Sequence, residues 1–192
     1  AWTLALLSWI DDLRSLSAGV RLAVQAAVVA VATHWLSTQG PVFQGLLPGW
    51  LDPLAAGLLW LWFVNLFNFM DGIDGISGVE TISIGGGIAA LAAFAADSVP
   101  QPAFGATIAA AAAGFLVWNW HPARIFLGDV GSVPLGFLLG FLLLALAARG
   151  FWAPALILPS YYLADATITL ARRALRGERV WQAHSQHYRS EE

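Results

Sequence analysis

"LAAGLLWLWFVNLFNFMDGIDGISG", residues 54–78, sets two asparagines and two aspartates at the end of an apolar run that carries no charge. Asn65, Asn68, Asp71 and Asp74 recur every third position, so on a continuing helix they stack near one face. An isolated Asp-Gly reads easily as a turn. Two amides one and two turns inside an apolar helix do not, because an unpaired amide there is expensive. Gly72 and Gly75 remove bulk beside each aspartate, so backbone or a phosphate can come close. The stretch therefore reads as the mouth of a membrane helix built to meet a polar ligand.

The rest of the chain agrees with a membrane setting. Its 192 residues are 58% hydrophobic and only 11% charged, with mean hydropathy +0.69, whereas a soluble domain carries roughly 25% charged residues. There is no cysteine, which excludes disulfides and thiolate metal sites. Apolar stretches at roughly 1–10, 21–36, 54–70, 79–96, 103–119, 133–148 and 151–170 predict about seven transmembrane segments. The expected fold is all-α and polytopic, one membrane-embedded domain over 1–192. The chain opens inside an apolar run, without the pattern of a signal peptide. It reads as part of a longer membrane protein lacking N-terminal helices and a C-terminal helix.

If each segment crosses once, eight of the nine arginines fall on one side and only Arg149 on the other. The positive-inside rule makes the first side cytoplasmic. Asp11, Asp12, Asp71, Asp74, Asp129, His121, His184 and His187 gather there too, while Asp52, Asp97 and His34 fall opposite. The chemistry is expected at the cytoplasmic face.

Three further clusters lie on that side. In "SWIDDLRSLSAGVRLAVQ", Asp11 and Asp12 end a helix, where carboxylates oppose the helix dipole. Adjacent aspartates suit a divalent cation or a general base. In "NWHPARIFLGDVGS", residues 119–132, Pro122 stops a helix and Gly128 and Gly131 bracket Asp129 before the next apolar segment. That layout exposes one carboxylate in a tight loop beside free N–H groups, which suits a phosphate with its metal. The third cluster, "ARRALRGERVWQAHSQHYRS", holds five arginines, Arg179 among them, with His184 and His187 three apart. Its arginines also suit contact with anionic headgroups, and a zinc site at the histidines would lack a third ligand.

In this order the four clusters resemble the polyprenyl-phosphate N-acetylhexosamine-1-phosphate transferases, a bacterial membrane family that includes the phospho-N-acetylmuramoyl-pentapeptide transferases. The elements that carry the resemblance are "IDDLRSLS…RLAVQ", "NLFNFMDGIDGISG", "NWHPARIFLGDVGS" and "AHSQHY". The resemblance implies transfer of a sugar 1-phosphate from a UDP-N-acetylhexosamine to polyprenyl (undecaprenyl) phosphate, with Mg²⁺ or substituting Mn²⁺ and release of UMP. It implies Asp11, Asp12, Asp74, His184 and His187 as catalytic residues. Asp129, with Asp11, would hold the metal. Asn65, Asn68, Asp71, Asn119, Phe126 and Arg179 would bind substrate, Phe126 stacking on uracil and Asn119 contacting it. The histidine pair would sit on a loop closing over the sugar phosphate.

His-Ser-Gln-His departs from the denser histidine run of the cell-wall enzymes, and points to enzymes that initiate O-antigen or related surface glycans; the peptidoglycan enzyme is the alternative. The expected location is the bacterial plasma membrane, in contact with lipid bilayer, with no nucleic-acid partner and with homodimerisation left open. A CDP-alcohol phosphatidyltransferase would follow Asp-Gly with Ala-Arg, which "DGIDGISG" does not. A transporter would place ionisable groups near the midplane, where Asp165 alone falls.

Overall fold

The computed structural model describes residues 1–95 and 99–175. Asp97, Arg179, His184 and His187 lie outside the described residues. Every regular element among the described residues is a helix: α1 (Trp2–Arg14), α2 (Ala18–Ser37), α3 (Leu51–Met70), α4 (Ile76–Ala95), α5 (Pro102–Asn119), α6 (Gly128–Ala148), α7 (Trp152–Ile157) and α8 (Ser160–Leu175). Five of these, α2 to α6, are long and apolar enough to cross a membrane. The chain is a polytopic α-helical membrane protein.

The seven apolar segments map onto these helices with one subdivision. Residues 151–170 form α7 and α8 rather than a single rod. Pro159 separates them, because it has no N–H to continue the helical ladder. The DD pair falls in the last turn of α1, as expected, and Ser15 closes that helix in the left-handed region at φ 48°.

The centre is the contact between α3 and α6. Trp60, Phe63 and Phe67 on α3 are buried, as are Phe137, Leu139 and Leu142 of α6, and the two helices pack together. Trp60 stacks on Phe137 with ring centroids 4.7 Å apart, and its indole N–H donates to the Phe137 carbonyl at 2.9 Å. Gly136 and Gly140 let these rings approach: an added Cβ would lie 2.9 Å from Phe67 and 2.5 Å from Trp60. α4 and α5 pack backbone to backbone. A Cβ on Gly85 would sit 2.6 Å from the Gly105 carbonyl oxygen, and one on Gly105 would sit 2.8 Å from that of Gly85. Lipid supplies little hydrophobic drive between helices, so close approach of small residues does the packing.

The antiparallel helices sort their ends onto two faces. On one, the end of α1, the start of α2, the end of α3 and the start of α6 enclose a shared cavity. On the other, buried Asp52 accepts from the Val42 and Phe43 N–H groups at 2.9 and 2.8 Å. Gln44 reaches the Ala147 carbonyl near the far end of α6. Asp52 thus secures a loop, away from the cluster of acids.

Candidate active site

The "NFMDGIDG" stretch does not continue as a helix. α3 stops at Met70, Asp71 leaves helical geometry at ψ 46°, and α4 begins only at Ile76. The four polar side chains therefore divide instead of stacking on one face. Asn65 and Asn68 remain on α3, Asp71 caps it, and Asp74 turns toward the segment after α5.

That turn rests on Gly75 and Asn119. Gly75 sits at φ +78°, which favours glycine, and its N–H donates to the Asn119 side-chain oxygen at 3.0 Å. The Asn119 amide in turn donates to the Ile125 carbonyl at 2.8 Å. Buried Asn119 therefore ties the loop after α3 to the loop after α5. Gly75 packs against Leu116 and Trp120, so its small size serves this junction rather than the approach of a phosphate.

Asp74 locks the same junction, accepting from His121 Nδ1 and from the Ala123 N–H, both at 3.0 Å. The Ala123 N–H, helped by His121, holds the Asp74 carboxyl below its ordinary range, against a smaller opposing effect of desolvation. Asp71 behaves oppositely. Burial pushes its carboxyl up to about 6, a hydrogen bond with Ser77 pulls it down, and the negative charge of Asp129 pushes it up. Ser77 also pairs with buried Tyr162 at 3.0 Å.

Asp129 sits in the first turn of α6, one residue inside the helix rather than in the preceding loop. Its carboxylate lies beside the Asn68 side chain, both lining the same cavities, and 3.6 Å from the Arg21 guanidinium. Ser132, one turn further on, donates to Asn68 Oδ1. Arg21 also grips Asp11 at 2.8 Å, whose other carboxylate oxygen accepts the Leu16 N–H at 2.6 Å. Asp11 thus supports the α1–α2 turn and orients Arg21. Asp12 is exposed beside it, and both carboxylates are close enough to Asp129 to act on its charge.

Two cavities open at this face. One, of about 210 Å³, lies among the loops and is lined by Asp71, Asp74, Asn119 and Phe126. The other, of about 200 Å³, lies among α1, α2, α3 and α6 and is lined by Arg21, Gln25, Asn65 and several apolar side chains. Asn68 and Asp129 line both. Asn65 spends its amide on the Leu61 carbonyl at 2.8 Å. Phe126 is 74% exposed at the rim, its ring face available for stacking.

The structure thus brings Asp11, Asn68, Asp71 and Asp129 into one neighbourhood, with Asp12 and Asn65 at its edge, and joins Asp74 to Asn119 at the junction beside it. Arg21, Ser77 and Ser132 belong to the same network and Gln25 lines its cavity, none of them singled out by the sequence as a site residue, and His121, placed at this face by the sequence, proves to be the partner of Asp74. Ser132 lies three residues beyond Asp129 and Gln25 four beyond Arg21, so each shares a helix face with a site residue, but that spacing alone does not mark either as part of a site.

Among the described residues, no three His, Cys, Asp or Glu side chains form a ready-made metal cage. The donor set still suits Mg²⁺, which takes oxygen ligands and is commonly held by one or two carboxylates together with substrate phosphates. Asp129 offers such a carboxylate, with its side chain 40% exposed.

A polytopic helical bundle with five helices long and apolar enough to cross a membrane, and a polar, acid-rich cluster at one face, defines an integral membrane protein. Residues 1–147 match Glycosyl transferase family 4, and the chain belongs to that family. A phospho-N-acetylmuramoyl-pentapeptide-transferase of Moorella thermoacetica is 33% identical over 163 residues, covering 73% of this chain and 49% of the relative. The enzyme of that name from a Synechococcus species is 34% identical over 177 residues, covering 81% and 47%. A Bacillus subtilis protein described as a probable undecaprenyl-phosphate N-acetylglucosaminyl 1-phosphate transferase is 29% identical over 195 residues, covering 94% and 52%. The chain spans about half the length of these curated relatives.

Proposed function

We propose that this chain carries the catalytic face of an enzyme that transfers an N-acetylhexosamine 1-phosphate from a UDP-sugar to polyprenyl phosphate. UMP is released, and the product starts a lipid-linked surface glycan such as O-antigen. The observation that carries the reading is the pair of cavities sharing Asn68 and Asp129. A reaction between a water-soluble and a lipid-anchored phosphate needs two approaches to one point. The sorting of arginines supports a cytoplasmic position for this face of the bacterial plasma membrane.

In this reading an oxygen of the lipid phosphate attacks the β-phosphorus of the UDP-sugar. The bond from that phosphorus to the oxygen bridging to the α-phosphorus breaks, and UMP leaves with the electron pair. Phe126 holds the uracil by stacking, while Asn119 and Asp74 fix the loops around the nucleotide. Asp12 orients the lipid phosphate and accepts any proton it carries. Arg21, oriented by Asp11, offsets negative charge between the two substrates. Asp129 would hold Mg²⁺, with Asp11 in support; when bound, the ion would supply positive charge against the pyrophosphate. The catalytic roles expected of His184 and His187 and the substrate contact expected of Arg179 fall outside the described residues.

The relatives from Moorella and Synechococcus favour a second reading, transfer of phospho-N-acetylmuramoyl-pentapeptide in peptidoglycan synthesis. UMP release by the full-length protein, with polyprenyl phosphate and either UDP-N-acetylglucosamine or UDP-N-acetylmuramoyl-pentapeptide, separates the two. Turnover with the first alone supports the surface-glycan reading, and turnover with the second alone supports the peptidoglycan one. Vesicle flux of either nucleotide without UMP release would favour a transporter and sink both.

A further inference from the structure

Gln25 lies on α2, one turn beyond Arg21, and is only 7% exposed. Its side-chain oxygen is buried without a hydrogen-bond partner, and the residue lines the cavity among α1, α2, α3 and α6. A buried carboxamide without a partner is costly, so the cavity's occupant must supply one. We propose that Gln25 binds the phosphate end of an isoprenoid phosphate in this cavity. The inference rests on the transferase reading for the identity of the lipid.

Phosphate chemistry suits the lining. Arg21 has five N–H donors and uses its guanidinium to bridge Asp11 and Asp129. Asn68 and Asn65 add carboxamides, against the single carboxylate of Asp129. A phosphate monoester accepts from Arg21. With a second pKa near ~6, a phosphate monoester also carries an O–H for part of the time, and that O–H can donate to the Gln25 oxygen. If the carboxamide turns over, its N–H₂ donates to the phosphate instead. Either way Gln25 gains its missing bond.

A lipid, rather than the nucleotide, is favoured by what borders the cavity. Leu7, Leu22 and Val133 form its apolar wall. The residue after Gln25, Ala26, and the residue one turn before Asn65, Leu61, both line a second cavity of about 430 Å³ along the α2–α3 seam. Val29, Leu54 and Leu58 continue its apolar walls. An isoprenoid chain leaving the phosphate therefore has an apolar track beside it. The loop cavity that holds Phe126 has no such exit among its lining residues.

The test uses the full-length protein in detergent, with undecaprenyl phosphate and the UDP-sugar that supports turnover. Gln25→Leu should raise the KM for undecaprenyl phosphate about tenfold or more, the loss of a hydrogen bond to a charged group, with the KM for the UDP-sugar within about twofold. Gln25→Glu, of the same size, should weaken lipid binding at least as much. An unchanged lipid KM, or a rise confined to the UDP-sugar, overturns the proposal. A binding arm stands apart from turnover: thermal stabilisation of the wild type by farnesyl phosphate, farnesol and inorganic phosphate. Farnesyl phosphate should stabilise most, and Gln25→Glu should abolish its advantage over farnesol. Equal stabilisation by farnesol and farnesyl phosphate in the wild type contradicts the assignment. A wild type that releases no UMP but shows the farnesyl phosphate advantage would sink the transferase reading and leave Gln25 as the phosphate-binding residue.

Discussion

Asn68 and Asp129 both line the two cavities that meet at the acid-rich face, one among loops and one among helices, and Ser132, one turn beyond Asp129, donates to Asn68 Oδ1. Asn68 and Asp129 come from different helix ends, the last turn of α3 and the first turn of α6. The α3–α6 contact, packed through Trp60, Phe137 and Gly140, holds those ends together. Helix packing deep in the bundle therefore sets the geometry of the acid-rich face.

Asp129→Asn keeps the size of the side chain and its place in α6 but removes the charge. Turnover in the full-length protein should fall about a hundredfold or more, the scale of several kcal/mol of lost charge stabilisation. High Mg²⁺ or Mn²⁺ should restore part of it. The thermal melting point should change little, because the side chain is 40% exposed. Near-normal turnover at ordinary Mg²⁺ would remove Asp129 as the metal ligand.

Phe126→Ala and Asn119→Ala should separate two ways of losing the nucleotide. Phe126 is exposed, so its loss should leave the melting point unchanged and raise the KM for the UDP-sugar about tenfold, as expected for one stacked base. Asn119→Ala breaks the bonds to Gly75 and Ile125 and should cost about 1–3 kcal/mol of stability through unsatisfied buried groups. Equal melting points for the two variants would argue against Asn119 as the tie between the loops.

The raised Asp71 carboxyl gives a pH signature. Its folded pKa, about 6, lies above the ordinary value of 3.8, so between these values the folded state binds more protons than the unfolded one. Stability should fall as pH rises through that window. Asp71→Asn removes this contribution. The melting point of the variant, relative to wild type and without nucleotide or metal, should therefore rise between pH 4 and pH 6.5. A difference that is flat across that range would contradict the burial of this carboxyl.

Much of this was legible because apolar runs, arginine placement and acid spacing act locally. The helices fall on the expected segments, and the acids gather at one face. The role of Asp74 was not legible, because its partners His121 and Ala123 are 47 and 49 positions away. The apolar run already ended at residue 70, but nothing near "DGIDG" shows that Gly75 must turn left-handed to meet Asn119. Gln25 and Ser132 looked like ordinary helix residues until α1, α3 and α6 closed around them. Long-range closure creates these sites, and local spacing does not encode it.

The α4–α5 contact supplies a packing test independent of chemistry. Gly85→Ala would put a Cβ 2.6 Å from the Gly105 carbonyl oxygen, whereas one on Gly86 would meet nothing within 4 Å. Gly85→Ala should destabilise by about 1–3 kcal/mol, the usual cost of overpacking. Gly86→Ala should be close to neutral. Equal thermal unfolding of the two variants would contradict the backbone contact.

The most direct test of the account follows the β-phosphorus. UDP-N-acetylglucosamine and UDP-N-acetylmuramoyl-pentapeptide, each labelled with ³²P at that atom, are incubated separately with the full-length protein, polyprenyl phosphate and Mg²⁺. Transfer of a sugar 1-phosphate predicts, with at least one of them, label in the lipid fraction and unlabelled UMP in equal amount. Label released as UDP, or left in the aqueous donor with both, would contradict the transfer for which Asn68 and Asp129 are proposed to bring the substrates together.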